Sequence, residues 1–173
     1  MKASSILLIL SMLFGFSFAQ AQEKKPKASP PDSSKVTTAD GVTIAINYSS
    51  PSLKGRKIGV DLAEIGKVWR TGANEATTVE FSKNVLVNGQ KLAAGKYSLY
   101  SIPGETQTTI IFNKTWKQWG TEYNEKEDAL RVVVNNEENG DNVERLKITA
   151  QKDGKIHLVW GNYALSMNVK ADK

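Results

Sequence analysis

The chain has 173 residues, no cysteine and a formal charge of +5. Without thiols there are no disulfides, no thiol catalysis and no Cys-ligated metals. A domain of about 150 residues must then stand on its core alone, which is feasible because such a chain buries roughly 68–70% of its extended surface. The charge is polarised: residues 121–144 hold eight acids against Lys126 and Arg131, and the remainder is basic. No basic face with interleaved aromatics marks a nucleic-acid binder.

The first residues read as an export signal. Lys2 supplies the positive start, Ile6 to Phe18 the apolar core, and Ala19-Gln20-Ala21 a small-x-small cleavage site. The apolar run is shorter than the ~20 residues a spanning helix needs. Cleavage after Ala21 is expected, with the product periplasmic or secreted, without a transmembrane segment and without a lipid-anchoring Cys. Residues 22–35, QEKKPKASPPDSSK, are polar and proline-rich and read as a disordered linker. Residues 36–173 then form a single domain.

From Val36 the pattern is β. Val36–Ala39 and Val42–Tyr48 flank Asp40-Gly41, a hairpin signal, and Val42, Ile44, Ile46 and Tyr48 alternate with smaller or polar residues. Ser49–Val60 is a loop punctuated by Pro51, Gly55 and Gly59. Asp61–Gly66 reads as one helical turn, with Asp61 as N-cap and Gly66 as the stop. Thr77, Val79 and Phe81 mark a strand. Val85–Val87, Asn88-Gly89 and Gln90–Leu92 form the clearest hairpin. Lys96–Ile102 and Thr108–Asn113 are strands, and the unbroken Ile110-Ile111-Phe112 predicts cover on both faces. Lys114–Tyr123 interrupts. Asp128–Asn135, Val143–Ala150, Ile156–Trp160 and Tyr163–Val169 complete the set, with turns at Asn136–Asp141, Asp153-Gly154 and Gly161-Asn162. The fold class this implies is all-β: an antiparallel two-sheet sandwich, jelly-roll-like or an open barrel, with one or two short helical turns.

Several blocks carry a resemblance. They are Tyr48–Ser52, Lys54-Gly55-Arg56, Gly66–Thr78, Ala94–Leu99, Ile102–Glu105, Phe112-Asn113-Lys114 and Gln118-Trp119-Gly120. Across about residues 45–150 the chain resembles a bacterial exported family known as domain-of-unknown-function family 2911. The resemblance implies an exported, mostly β domain in Gram-negative bacteria. It implies no activity.

Gly66–Thr77 is the densest stretch of groups that need partners. On one reading Arg70 forks onto a carboxylate or sugar hydroxyls, Trp69 stacks, and Asn74 and Glu75 orient the ligand. On the other the loop is a latch: Arg70 pairs with Glu75 or caps backbone carbonyls, and Trp69 plugs the end of the sandwich. Trp116 and Trp119, with Trp160, offer a platform for a carbohydrate. The competing reading puts Trp119 and Trp160 in the core and only Trp116 outside.

Catalysis has thinner support. His157 is the sole histidine, on the face opposite Ile156 and Leu158. It lacks the companions a zinc site needs, and no Gly-x-Ser-x-Gly elbow is present. Glu75, Glu80, Asp61 and Glu64 lie near one another in sequence, and two carboxyls about 5–9 Å apart would serve glycoside hydrolysis. The acidic run Asn135–Asp141 lacks calcium-loop spacing and reads as a charged turn that protects an edge. The chain is therefore expected to be a non-catalytic ligand-binding or accessory envelope protein, with no cofactor or metal. Its candidate ligand-binding residues are Trp69, Arg70, Asn74, Glu75 and Trp119, for a small molecule or glycan. The alternatives are a glycan hydrolase using Glu75 with a second acid, and a structural component that pairs through edge strands.

Overall fold

The computed structural model describes residues 28–173. The export signal expected over residues 1–21 and the first part of the linker, 22–27, lie outside them. The described residues are all-β. Nine antiparallel strands are present: β1 Pro31–Thr37, β2 Thr43–Ser49, β3 Thr78–Phe81, β4 Val85–Val87, β5 Gln90–Leu92, β6 Gly95–Pro103, β7 Gln107–Asn113, β8 Asp128–Ala150 and β9 Lys155–Ala171. Among these residues the only helical element is a 3-10 turn, Glu125–Glu127.

Hydrogen bonding links all nine strands into one sheet, in the order β1-β2-β3-β6-β7-β8-β9-β4-β5. The sheet coils so that its leading edge meets the second half of β8. The Tyr48 hydroxyl accepts from the Ile148 N–H, Ser50 donates to the Leu146 carbonyl, and Ser34 accepts from Ala150 N–H. One continuous core results. It runs from Val42, Ile44 and Ile46 on β2 through Phe81 and Phe112 to Leu158, Trp160 and Leu165 on β9.

The alternation read from sequence decides which faces are buried. Val42, Ile44, Ile46 and Tyr48 point inward, and Ile110, Ile111 and Phe112 are all fully buried. The Asn88-Gly89 hairpin forms with both residues at positive φ (46° and 85°), as a two-residue primed turn requires.

Four local expectations are corrected. The linker ends earlier than composition implies, because Pro31–Lys35 pairs in register with Ala45–Ser49. This strand is held by polar bonds, not by an apolar face; Asp32 accepts from the Tyr48 hydroxyl. Asp61–Gly66 is not helical. Ala63 sits at φ +47°, in the left-handed region, and the Asp61 carboxylate accepts backwards from Lys57 N–H instead of capping forwards. Asn136–Asp141 does not end a strand. It lies inside β8: Asn136–Glu138 pair with Tyr163–Leu165, and a bulge follows where register passes from Glu138↔Tyr163 to Val143↔Gly161, leaving residues 139–142 opposite Asn162. Likewise Gly161, at φ +62°, bends β9 without breaking it.

The sheet edges are polar. β1 carries Asp32 and Lys35, and β5 is three residues long with Lys91 at its centre. Short, charged edges blunt sheet-to-sheet pairing.

Candidate functional site

The Trp69–Glu75 loop is pinned at both ends. Trp69 exchanges two backbone hydrogen bonds with Ser101 (2.7 and 2.9 Å). At the other end Gly120 N–H donates to the Asn74 carbonyl at 2.9 Å, and Ala76 N–H donates to the Gln118 carbonyl at 3.1 Å. These bonds flank Glu75 and Trp119, which form an antiparallel bridge. Such a non-hydrogen-bonded pair brings its two side chains onto one face at the closest cross-strand spacing, Cα atoms about 4.5 Å apart.

Between the pins the backbone turns sharply at Thr71. This β-branched residue sits at φ +47° and is fully buried, a conformation that costs about 1–3 kcal/mol and persists only when its surroundings impose it. They do so here. The Thr71 hydroxyl donates to Ser101 Oγ, and its carbonyl accepts from Thr77 Oγ1 at 2.8 Å. Gly72 allows that approach, since a Cβ there would lie 2.5 Å from Thr77 Oγ1.

The turn sends the two ends of the loop into different clefts. Trp69 and Arg70 line one of about 530 Å³, with Tyr100, Tyr123 and Asp61. Asn74, Glu75 and Trp119 line another of about 550 Å³, with Ser29, Pro31 and Ser49. Gly120 is the wall between them. A Cβ on it would come 2.5 Å from Arg70 Cδ and 2.7 Å from the Asn74 carbonyl oxygen.

In the first cleft, Trp69 stacks on buried Trp160, with ring centroids 5.5 Å apart and planes within 12°. Tyr100 and Tyr123 make the aromatic wall, centroids 4.9 Å apart. Burial pushes the Tyr123 hydroxyl up to about 12, helped by its hydrogen bond to Asp128, so it stays a neutral donor. Arg70 is the exception among these satisfied groups. Its Nε is buried without a hydrogen-bond partner, and no ion pair among the described residues involves it. Of the latch reading, the Arg70–Glu75 pair is absent among the described residues, whereas Trp69 does pack against the core through Trp160.

In the second cleft Trp119 is 47% exposed, and Glu75 is exposed with no ion pair among the described residues. Asn74, at φ +60°, donates its amide to the Ser29 carbonyl at 3.3 Å. No second acidic side chain lines this cleft among the described residues. The other acids of the sequence reading lie elsewhere: Glu80 faces Lys96 across strands, Glu64 pairs with Lys67, and Asp61 lines the Arg70 cleft.

The aromatic platform divides. Trp160 is core, whereas Trp116 and Trp119 are both exposed, and Lys96 Nζ covers the Trp116 ring at 4.4 Å. Asn113 explains this. Fully buried, it donates to the Asn124 carbonyl and Asp128 and accepts from Thr115 N–H, so polar bonds gather the 114–124 loop without burying its tryptophans. His157 is half-buried on β9, opposite Thr149. Among the described residues no group of three His, Asp or Glu is placed to hold a metal.

A further cleft, of about 820 Å³, escaped the sequence reading. It opens at the β8 bulge between the Leu53–Ile58 loop and Tyr163, with Arg56, Glu105 and Glu144 on its rim. Its residues come from five separate segments, so no local motif could have announced it.

Fold and clefts together define an all-β domain in which one strained loop divides an aromatic cleft lined by Arg70 and Asp61 from an acidic polar one lined by Glu75. The chain belongs to the family described as "Protein of unknown function (DUF2911)", whose model matches residues 29–169. No curated protein and no solved structure matches it.

Proposed function

We propose that the protein is a non-catalytic binding or accessory protein of the cell envelope, its coiled sheet acting as a sandwich-like frame, and that it holds a small organic anion in the Trp69–Arg70 cleft. The observation that carries this is the unpartnered Arg70. Arg70 as a whole is half-buried, but its Nε–H is buried without an acceptor, which is costly, and native proteins nearly always supply one. An acceptor arriving with a ligand would meet that need. A carboxylate offers the two oxygens a guanidinium fork takes, and the walls from Trp69, Tyr100 and Tyr123 favour a flat or apolar body behind it.

The test is thermal unfolding of the mature chain with benzoate, phenylacetate and indole-3-acetate, in wild type, Arg70→Ala and Arg70→Lys. A ligand that binds only the folded state raises Tm. The expected result is a rise of a few degrees in wild type with at least one acid, lost in Arg70→Ala and reduced in Arg70→Lys. No rise in wild type, or the same rise in all three, refutes the reading. Export is proposed on the N-terminal pattern alone. N-terminal sequencing of protein recovered from the cell envelope should begin at Gln22, and an intact Met1 would remove the export signal.

A further inference from the structure

We propose that the second cleft is a separate subsite for a neutral sugar ring, stacked on Trp119 and hydrogen-bonded by Glu75 and Asn74. This stands on residues other than Arg70 and does not need the anion reading. Sugar recognition asks for a broad apolar face beside acceptors set at its edge, because a pyranose shows C–H groups on its faces and hydroxyls around its rim. The Glu75↔Trp119 bridge builds that combination from backbone geometry. It is a non-hydrogen-bonded pair, so carboxylate and indole rise from one face at the shortest cross-strand spacing.

Each group has capacity to spare. Trp119 is 47% exposed, whereas the other large aromatics among the described residues, Trp116 apart, are buried or half-buried. Glu75 has no ion pair among the described residues, so both its oxygens are open to hydroxyl donors, the stronger charge-assisted kind of bond. The Asn74 amide is oriented by its donation to Ser29, which leaves Oδ1 to accept. Ser49 and Ser29 add polar edges. The described lining contains no Lys or Arg, and Glu75 repels anions, so an uncharged, hydroxyl-rich ligand fits and an acidic one does not.

The experiment is titration calorimetry of the mature chain with cellohexaose, maltohexaose and chitohexaose. Wild type is compared with Trp119→Ala, Glu75→Gln, Trp116→Ala and Arg70→Ala, each checked for folding by its unfolding midpoint. At least one hexasaccharide should bind wild type. Losing the stacking face should weaken binding about tenfold or more, and losing the carboxylate charge about tenfold. Trp116→Ala and Arg70→Ala should bind as wild type does. If Trp119→Ala fails to fold, Glu75→Gln decides alone. The proposal is overturned if no hexasaccharide binds, if Trp116→Ala loses as much as Trp119→Ala, or if Glu75→Gln loses nothing. It is overturned as a separate subsite if Arg70→Ala abolishes sugar binding, whereas loss of benzoate binding alone leaves it standing.

Discussion

The two ends of the Trp69–Glu75 loop are a few residues apart and physically opposite. At Trp69–Thr71 the chain runs from half-buried to fully buried, stacked on Trp160 and held by buried hydroxyls, with an arginine whose buried Nε lacks a partner. At Asn74–Glu75 it is open to solvent, with a carboxylate beside an exposed indole. Charges of opposite sign this close in sequence would ordinarily be expected to pair. The left-handed turn at Thr71 and the wall at Gly120 place them in different clefts instead. Backbone strain, not distance along the chain, keeps the two chemistries distinct.

The bluntest way to break the contrast is to remove the floor of the buried end. Trp160→Ala should cost about 3–5 kcal/mol in chemical denaturation, as for large aromatic truncations in a core, and should take benzoate binding with it. Gly120→Ala strikes both ends, because the new methyl meets Arg70 on one side and the Asn74 carbonyl on the other. About 1–3 kcal/mol of stability should go, together with both binding activities. A variant that lost only one would show the clefts to be less tightly joined than the contacts imply.

Arg70→Met sharpens the comparison in the other direction. It keeps the stem and deletes an unpaired cation, so the empty protein should be unchanged or up to about 1 kcal/mol more stable, while anion binding is lost. Glu75→Gln, in solvent, should move stability by less than about 0.5 kcal/mol. A clear destabilisation by Arg70→Met would mean that the guanidinium already has a partner.

The last effect is absent at neutral pH. The Tyr123 pKa is raised from 10.0 to about 12 by burial and by its bond to Asp128. The folded state therefore keeps a proton that the unfolded chain gives up. This contribution is complete below pH 10 and is lost as pH rises from about 10 to 12. Tyr48 is raised to about 12 as well, first by burial and then by Asp32. Urea denaturation across that window should show a shallower decline for Tyr123→Phe than for wild type, with the Tyr48 share remaining.

Much of the framework was legible because it is local. Asn88-Gly89 declares its hairpin, and the alternation over Val42–Tyr48 declares its buried face. The Trp69–Glu75 block declared its density of polar and aromatic groups, but not that its halves would face apart. That division depends on the φ angle of Thr71, a residue whose ordinary preference gives no warning. Pro31–Lys35 reads as linker because its pairing with β2 is polar and carries no hydrophobic period. The Asn136–Asp141 segment has every mark of a turn, and only its partner strand shows that it is paired up to Glu138 and then enters a bulge. Trp119 reads equally well as core or surface, since its place is set by a bridge to Glu75, more than 40 positions earlier in the chain.

The position of β9 in the sheet has a bearing on how the chain reaches its native state. β4 and β5 are three residues each, and among the described residues β4 pairs with the rest of the sheet through residues 169–171 of β9, with Asn168 and Asp172 adding bonds on either side. A hairpin that small has little stability alone, so these early-made strands must wait for almost the last ones. Together with the meeting of Tyr48 and Ile148 across 100 positions, this makes assembly a late and non-local event. Slow refolding is the consequence, and a chain cut before residue 169 would leave the Val85–Leu92 hairpin without the strand it pairs with.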